Sequence, residues 1–236
     1  PPTDLAVSSI TSPATASNGE SVTIQWTGFN QGGSAPNSTF WRDRVYLSTA
    51  ADSNLTGAIN LGRVNVSKNL VPGQTYFAQK TITIPDNVNG DYYVYIDTDE
   101  GNSVYEYTLD GNNLRRSNDP IQINSPDLKI DTVSGPLSAL SGQVITVNWT
   151  TENTGLGDVI NKTWTDALFL SPNATYNPVT AIPLGEFMAT TSIGGGNGSA
   201  RQLTVTLPNG LSGDFYFHAL TDFTGTVFEN GADGNN

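Results

Sequence analysis

The sequence has no cysteine and only one histidine among its 236 residues. Without cysteine the chain forms no disulfide, and it offers neither a thiolate nucleophile nor a thiolate ligand for a metal. Because His218 is the single histidine, a serine-type catalytic triad could occur at most once. No apolar stretch approaches the roughly 18 residues that a membrane-spanning helix requires. The sequence therefore predicts no disulfide framework, no thiol chemistry and no insertion of these residues into a membrane.

Charged residues are also scarce, at 14% of the chain, and they are unbalanced. The 22 acidic and 10 basic residues give a formal net charge of −12. An acidic surface repels phosphate backbones and anionic lipids, so nucleic acid is excluded as a partner. Cations, Ca²⁺ above all, suit such a surface better. The alternative interpretation is that the charge only keeps an extracellular domain soluble.

The residues that are plentiful favour short β-strands. Thr, Val, Ile and aromatic residues suit pleated sheets, whereas the 24 glycines and 13 prolines suit the turns between strands. Val22, Ile24 and Trp26 alternate with polar residues, which is the period of a half-buried strand. The same alternation predicts that Tyr93 and Tyr95 face outward from a later strand. No window shows helical periodicity.

An internal repeat organises the chain. Asp4-Leu5 recurs as Asp127-Leu128, an offset of 127 − 4 = 123 residues. The same ungapped offset relates Trp26 to Trp149, Trp41 to Trp164, Asp43 to Asp166, Pro85 to Pro208, Asp99 to Asp222, Glu106 to Glu229, and Asn112-Asn113 to Asn235-Asn236. Six or seven short strands in each copy predict an all-β fold of two tandem immunoglobulin-like antiparallel β-sandwiches. The predicted domains are residues 1–124 and 125–236.

The two copies differ at their ends. The first continues from Leu114 to Ile123, and its final residues form a short apolar strand pattern. The matching segment of the second copy would begin after Asn236, so we expect the second sandwich to lack its last strand. Truncation and disorder both remain open as causes. The opening Pro1-Pro2-Thr3-Asp4 leads us to expect a fragment of a longer polypeptide.

The repeated motifs resemble a known family. Each copy begins with Asp-Leu, as in Pro126-Asp127-Leu128, and continues with a G-x-x-V/I-x-V/I-x-W strand. A G-D-Y/F-Y/F strand follows, and a D-x-x-x-x-V-x-E segment and an Asn-Asn pair close the copy. This pattern resembles the CARDB domain, a cell-adhesion-related domain found in bacteria. The resemblance implies an extracellular module, often in tandem, of large surface or secreted proteins, and it implies no particular ligand.

These observations predict a non-catalytic adhesion or spacer module of a larger bacterial protein, secreted or at the cell surface. Its expected partners are a protein or carbohydrate at the cell surface and the neighbouring domains of its own polypeptide. The alternative is a carbohydrate-binding accessory module of a secreted hydrolase, with Trp41 and Trp164 as sugar-stacking platforms. Burial of both rings would disfavour that alternative. His218 is expected to be an exposed strand residue, because the matching residue of the first copy is Tyr95.

One acidic segment, residues 97–113, is the candidate site, and we call it the acidic turn. Its candidate metal ligands are Asp97, Asp99, Asn102, Glu106 and Asp110. Ca²⁺ takes six to eight oxygen ligands of these kinds, so a Ca²⁺ site is one interpretation. The other is a hydrogen-bonded turn in which Asp99 caps its own loop. The second copy has Leu220 and Gly225 in place of Asp97 and Asn102, which predicts weaker cation binding there.

Overall fold

The structure is a computed structural model that describes residues 1–51 and 55–236. It divides into two compact units. The first comprises Pro1–Ile84 and Gly90–Ile123, and the second comprises Pro85–Asn89 and Asn124–Asn236. Each unit is an immunoglobulin-like sandwich of antiparallel strands, so the chain is all-β. Among the described residues, no helix is both long and apolar enough to cross a membrane.

Within its described residues, 1–51 and 55–123 apart from the loop assigned to the second unit, the first unit contains nine strands. They are β1 (Leu5–Thr11), β2 (Thr15–Ser17), β3 (Ser21–Asn30), β4 (Phe40–Ser48), β5 (Ile59–Ser67), β6 (Thr75–Thr83), β7 (Gly90–Asp97), β8 (Leu114–Arg116) and β9 (Ile121–Asn124). One sheet has the order β1-β3-β6, and the other has the order β2-β9-β7-β4-β5. Strand β8 also pairs with β7, and a 3₁₀ turn at Asp110–Asn112 precedes it. The acidic turn therefore connects two neighbouring strands of the second sheet.

The second unit repeats this arrangement with fewer strands. They are β10 (Leu128–Ser134), β11 (Val144–Asn153), β12 (Val159–Ser171), β13 (Ile182–Ile193), β14 (Gly198–Thr206) and β15 (Tyr216–Leu220). Its sheets have the orders β10-β11-β14 and β13-β12-β15, and a 3₁₀ turn lies at Asp233–Asn235. No strand equivalent to β8 or β9 follows β15 in the part of the chain that the structure describes.

The strand register follows the sequence repeat. Trp26 lies opposite Ala78 in the first unit, and Trp149 lies opposite Arg201 in the second. Both residues of the pair are displaced by the same 123 positions, since 149 − 26 and 201 − 78 are equal. Because side chains alternate between the two faces of a strand, a shared register places equivalent side chains in each core. The ungapped repeat is therefore a repeat of three-dimensional structure.

Two side chains that the sequence predicts to be exposed are covered in the structure. Tyr95 is only 1% exposed, so the prediction that it faces outward is wrong. Its hydroxyl donates a hydrogen bond of 2.7 Å to the carbonyl of Ala50, in the loop that follows β4. His218 is half-buried, with its Nε2 atom 3.0 Å from the carbonyl of Asn173. Loops cover this face of the sheet in both units, and strand alternation alone gives no information about loops.

Strand β9 completes the core of the first unit. The side chains of Ile121 and Ile123 are both 0% exposed, whereas Gln122 between them faces solvent. Truncating either isoleucine leaves a cavity as well as removing buried apolar surface. The last strand of the first unit therefore contributes to stability through packing and not only through backbone pairing.

We predict that Ile123→Ala lowers the free energy of unfolding of the first unit by about 2–5 kcal/mol. The matched control is Gln122→Ala on the same strand, which should cost less than about 0.5 kcal/mol because its side chain is exposed. Urea unfolding followed by hydrogen exchange of the β7 amides measures the first unit separately. Equal destabilisation by the two variants would show that β9 acts through its backbone alone.

Candidate functional site

The acidic turn begins at Asp97, the last residue of β7, and it has an unusual backbone conformation. Asp99, Asn102 and Tyr107 all have positive φ angles, of 49°, 48° and 63°. Asp and Asn tolerate this left-handed region better than other non-glycine residues. The residue types of the turn are therefore explained in part by its backbone geometry.

The side chain of Asp99 holds the turn together. It is 0% exposed, and its two carboxylate oxygens accept hydrogen bonds from the backbone N–H groups of Ser103 and Val104, each at 2.8 Å. Burial raises the pKa of Asp99, and the two backbone hydrogen bonds oppose that rise. The second unit repeats this contact, because Asp222 accepts hydrogen bonds from Thr226 and Val227 at 2.8 Å.

Glu106 joins the turn to the first strand of the unit. It is 1% exposed, and one carboxylate oxygen accepts a hydrogen bond from the backbone N–H of Leu5. The other oxygen accepts from the side-chain amide of Asn113 at 2.8 Å. Burial is the main cause that raises the pKa of Glu106 to about 7. Glu229 accepts from Leu128 N at 3.1 Å in the same way.

The Asn-Asn pair that closes each copy also binds the opening motif. In the first unit, the side-chain amide of Asn112 donates to a carboxylate oxygen of Asp4 at 2.9 Å. In the second, Asn235 donates to Asp127 at the same distance. The Asp-Leu and Asn-Asn motifs, more than 100 residues apart in sequence, are therefore two sides of one contact in each sandwich.

The other predicted metal ligands lie around Asp99 and Glu106. Asp97 is half-buried, and burial followed by the nearby charge of Glu100 raises its pKa to about 6. Asn102 and Asp110 are exposed. Across residues 1–51 and 55–236, no group of three or more acidic, histidine or cysteine side chains is arranged to hold a metal ion. The oxygens of Asp99 and Glu106 are used by N–H donors, so this geometry fits the hydrogen-bonded turn. The Ca²⁺ site stays a prediction.

The exchange of Asn102 for Gly225 has a backbone explanation. The sequence suggested that this exchange removes a metal ligand from the second copy. Both residues adopt positive φ angles, 48° for Asn102 and 62° for Gly225. Glycine and asparagine are the residues that adopt this conformation most readily. Both copies therefore require a residue in the left-handed backbone conformation at this position, and asparagine and glycine both meet that requirement.

Each core also contains a buried carboxylate that the sequence patterns did not indicate as a functional residue, and we call it the carboxylate hub. In the first unit this is Asp43, at 0% exposure. It accepts hydrogen bonds from Trp26 Nε1 at 2.7 Å, from the Tyr76 hydroxyl at 2.6 Å and from the Thr98 hydroxyl at 2.8 Å. Burial raises the pKa of Asp43, and these three hydrogen bonds oppose the rise. In the sequence, the sign of this buried carboxylate was an aspartate on the same strand face as Trp41.

The hub of the second unit is Asp166, and it includes a cation. Asp166 accepts from Trp149 Nε1 and Trp164 Nε1, both at 2.9 Å. The guanidinium of Arg201 lies 3.2 Å from its carboxylate and 4.8 Å from the ring centre of Trp164. Burial lowers the pKa of Arg201, and the charge of Asp166 opposes this. Both candidate platform rings are buried, with Trp41 0% and Trp164 1% exposed.

Comparison with known proteins now assigns the family. Residues 2–116 match the model of the CARDB family. The first unit belongs to the CARDB family. The second unit repeats its motifs, strand order and register. No protein of curated function matches the chain.

Several solved structures are distantly similar. The CARDB domain of a Pyrococcus furiosus protein, crystallised in complex with di-metal ions, is 20% identical with a TM-score of 0.39, covering 52% of this chain and 94% of that one. A β-glucosidase from Listeria innocua in complex with glucose is 13% identical with a TM-score of 0.32, covering 51% of this chain and 16% of that enzyme. Red sea bream transglutaminase is 10% identical with a TM-score of 0.31, covering 92% of this chain and 29% of that one. Similarity at this level carries no inference about ligand or activity.

The raised pKa values of one glutamate in each unit predict how the stability of that unit depends on pH. Glu106 and Glu229 both have pKa values of about 7, above their usual 4.5. The folded state therefore binds protons more tightly than the unfolded state. The stability gained from protonation is complete below about pH 4.5, decreases as pH rises, and is lost above about pH 7. Each group contributes on the order of 1–3 kcal/mol.

We predict that Glu106→Gln reduces the loss of stability between about pH 5 and pH 8, because the neutral amide does not ionise. The amide can still accept from Leu5 N, and Asn113 can rotate to present its oxygen as an acceptor. Urea unfolding at the two pH values measures the effect, with the exposed Glu186→Gln as control. An unchanged pH dependence in Glu106→Gln would contradict the assignment of this titration to Glu106.

Proposed function

We propose that this chain is a non-catalytic extracellular module that acts as an adhesion or spacer part of a larger bacterial protein, secreted or at the cell surface. The observation that carries the proposal is that the buried acidic side chains, which could serve a catalytic or metal site, make hydrogen bonds within the fold. Asp43 and Asp166 bind tryptophan rings in the two cores, and Asp99 and Glu106 bind backbone N–H groups. These residues build the fold, and membership of the CARDB family supports the same role.

The alternative of a carbohydrate-binding accessory module has less support. Sugar-stacking platforms need an aromatic face that is open to solvent. Trp41 packs edge-on against Tyr76 at 5.4 Å between ring centres, and Trp164 packs against the Arg201 guanidinium. Neither ring therefore presents a free face. Any contact with carbohydrate would have to use other residues.

The expected location gives the first test. In cells that make the full-length parent polypeptide, antibodies against this chain should label intact cells or detect the protein in the medium. A cytoplasmic protein of the same cells is the control for leakage. Labelling that requires permeabilised cells would contradict the proposal.

A replacement experiment separates the spacer role from the adhesion role. If the chain is a spacer, an unrelated tandem of two β-sandwiches in its place should restore the function of the parent polypeptide. If the chain is adhesive, the replacement should retain surface exposure but lose attachment. Loss of a catalytic activity that the replacement cannot restore, with surface exposure intact, would contradict both forms of the proposal.

Stabilisation by Ca²⁺ is a separate proposal that rests on the charges of the acidic turn. The charge of Asp110 raises the pKa values of Asp99 and Glu106, and the charge of Asp99 also raises the pKa of Glu106, so the three carboxylates lie close together. An ion that binds only the folded state raises the melting temperature. Asp110→Asn should abolish a Ca²⁺-dependent rise, since Asp110 is the exposed carboxylate of the three.

The measurement is thermal unfolding in millimolar Ca²⁺ and in chelator, for the wild type and for Asp110→Asn. Asp99→Ala should lower the melting temperature in both solutions, because it leaves the N–H groups of Ser103 and Val104 without an acceptor. A wild-type melting temperature that is the same in both solutions would leave the turn as a purely hydrogen-bonded element.

A further inference from the structure

The second unit has an open, mainly apolar pocket on the face of β12 and β13 that points away from the core. Its volume is 540 Å³, and the residues that line it include Ala167, Phe169, Pro183, Glu186 and Phe223. The rings of Phe169 and Phe223 are in contact, with 5.8 Å between their centres, and Phe223 is 46% exposed. Among the described residues that line the pocket, only Glu186 is charged. The pocket therefore combines two aromatic rings with one carboxylate.

The equivalent surface of the first unit carries an ion network. The carboxylate of Glu100 lies 3.0 Å from the guanidinium of Arg44 and 2.6 Å from that of Arg63. The 123-residue offset maps positions 44, 63 and 100 onto Ala167, Glu186 and Phe223. Where the first unit has two arginines around a carboxylate, the second unit has a pocket whose described residues include a carboxylate and no arginine.

The backbone of this surface is the same in the two units. Ala167 lies opposite Glu186 on β13, as Arg44 lies opposite Arg63 on β5. The N–H of Phe223 donates to a β12 carbonyl at 2.8 Å, and the equivalent N–H of the first unit donates to a β4 carbonyl at 3.0 Å. The difference between the two surfaces therefore lies in their side chains, and the strand geometry that places arginines around a carboxylate is present in both.

The pocket is separate from the side of the sheet on which the last strands of the first unit lie. In that unit, β8 and β9 pair with the edge of β7 that faces away from β4. The pocket lies over β12 and β13, the equivalents of β4 and β5. Strand β15, the equivalent of β7, therefore separates the pocket from the side that β8 and β9 take in the first unit.

The carboxylate of the pocket lacks a cation from its own chain. Across residues 1–51 and 55–236, none of the ion pairs includes Glu186. The net charge of −12 attracts cationic partners to the chain as a whole. A guanidinium is a cation that stacks on aromatic rings and also binds a carboxylate through two parallel N–H groups. Its chemistry therefore matches both components of the pocket.

We propose that this pocket binds an arginine side chain of a partner polypeptide. The guanidinium stacks on the ring of Phe223 and donates to the carboxylate of Glu186, in the place where the first unit uses its own arginines. An apolar side chain would cover Glu186 without pairing its charge, which is costly. A sugar needs several hydrogen-bonding groups, and Glu186 alone among the described lining side chains supplies one. Arginine is the occupant that uses the rings and the carboxylate together.

The test is an NMR titration of the ¹⁵N-labelled 236-residue chain with N-acetyl-arginine methylamide. Its control is the citrulline analogue, which has nearly the same shape and no charge. The arginine compound should shift the amide signals of residues 167–169, 185–186 and 223 saturably. It should bind about fivefold or more tightly than the citrulline compound, because ion pairing and ring stacking both favour the cation.

Variants of the chain locate the binding. Glu186→Gln should reduce the affinity for the arginine compound to that for the citrulline compound. Asp131→Asn is the matched control, since Asp131 is an exposed carboxylate of β10 that does not line the pocket, and it should bind as the wild type does. Phe223→Ala should weaken the binding of both compounds, because each stacks on the ring.

Four results would overturn the proposal. The first is the absence of saturable shifts at the pocket residues, and the second is equal affinity for the arginine and citrulline compounds. The third is an equal loss of affinity in Glu186→Gln and Asp131→Asn, which would indicate long-range attraction by the net charge. The fourth is a larger shift of the same signals by glucose than by the arginine compound, which would favour a carbohydrate as the occupant.

Discussion

Each sandwich depends on one buried carboxylate that connects its two sheets. In the first unit, Asp43 lies on β4, whereas two of its donors, Trp26 and Tyr76, lie on β3 and β6 of the facing sheet. A buried charge is costly unless hydrogen bonds compensate it, so the two sheets must keep these donors in place. The third donor, Thr98, precedes Asp99 directly and joins the hub to the acidic turn. The hydrogen bonds to this one carboxylate therefore fix where the Trp26, Tyr76 and Thr98 side chains lie in the core and how they are oriented.

The two units satisfy this requirement with different side chains. Tyr76 supplies a neutral hydroxyl in the first unit and packs against Trp41. In the second unit the side chain on this side of the hub is Arg201, a cation 3.2 Å from the Asp166 carboxylate that packs against Trp164, the equivalent tryptophan. The offset maps Arg201 onto Ala78 and not onto Tyr76, so the residue that contacts the hub from this strand lies two positions further along it. Two residues along a strand return to the same face, which is why both side chains reach the hub.

The sequence predicted the strands and their repeat well, because alternation and turn residues are local signals. Trp26 is buried on the face that its aliphatic neighbours indicated. Tyr95 was misplaced, because its burial depends on the carbonyl of Ala50, in a loop whose path no local pattern describes. The sequence pattern already placed Asp43 on an apolar strand face. Its role as a hydrogen-bond acceptor, however, depends on donors from three other segments of the chain. Pairings between distant segments are what a single sequence does not reveal.

The acidic turn shows how far residue type alone can be interpreted. A cluster of aspartate, glutamate and asparagine suggests a cation site when only oxygen ligands are counted. The same residues also accept backbone N–H groups, as Asp99 and Glu106 do, and adopt left-handed conformations, as Asn102 does. The exchange of Asn102 for Gly225 separates these roles, because glycine keeps the backbone conformation and has no side-chain oxygen. A position that accepts both residues is constrained by its backbone, and its side-chain oxygen is dispensable to the turn.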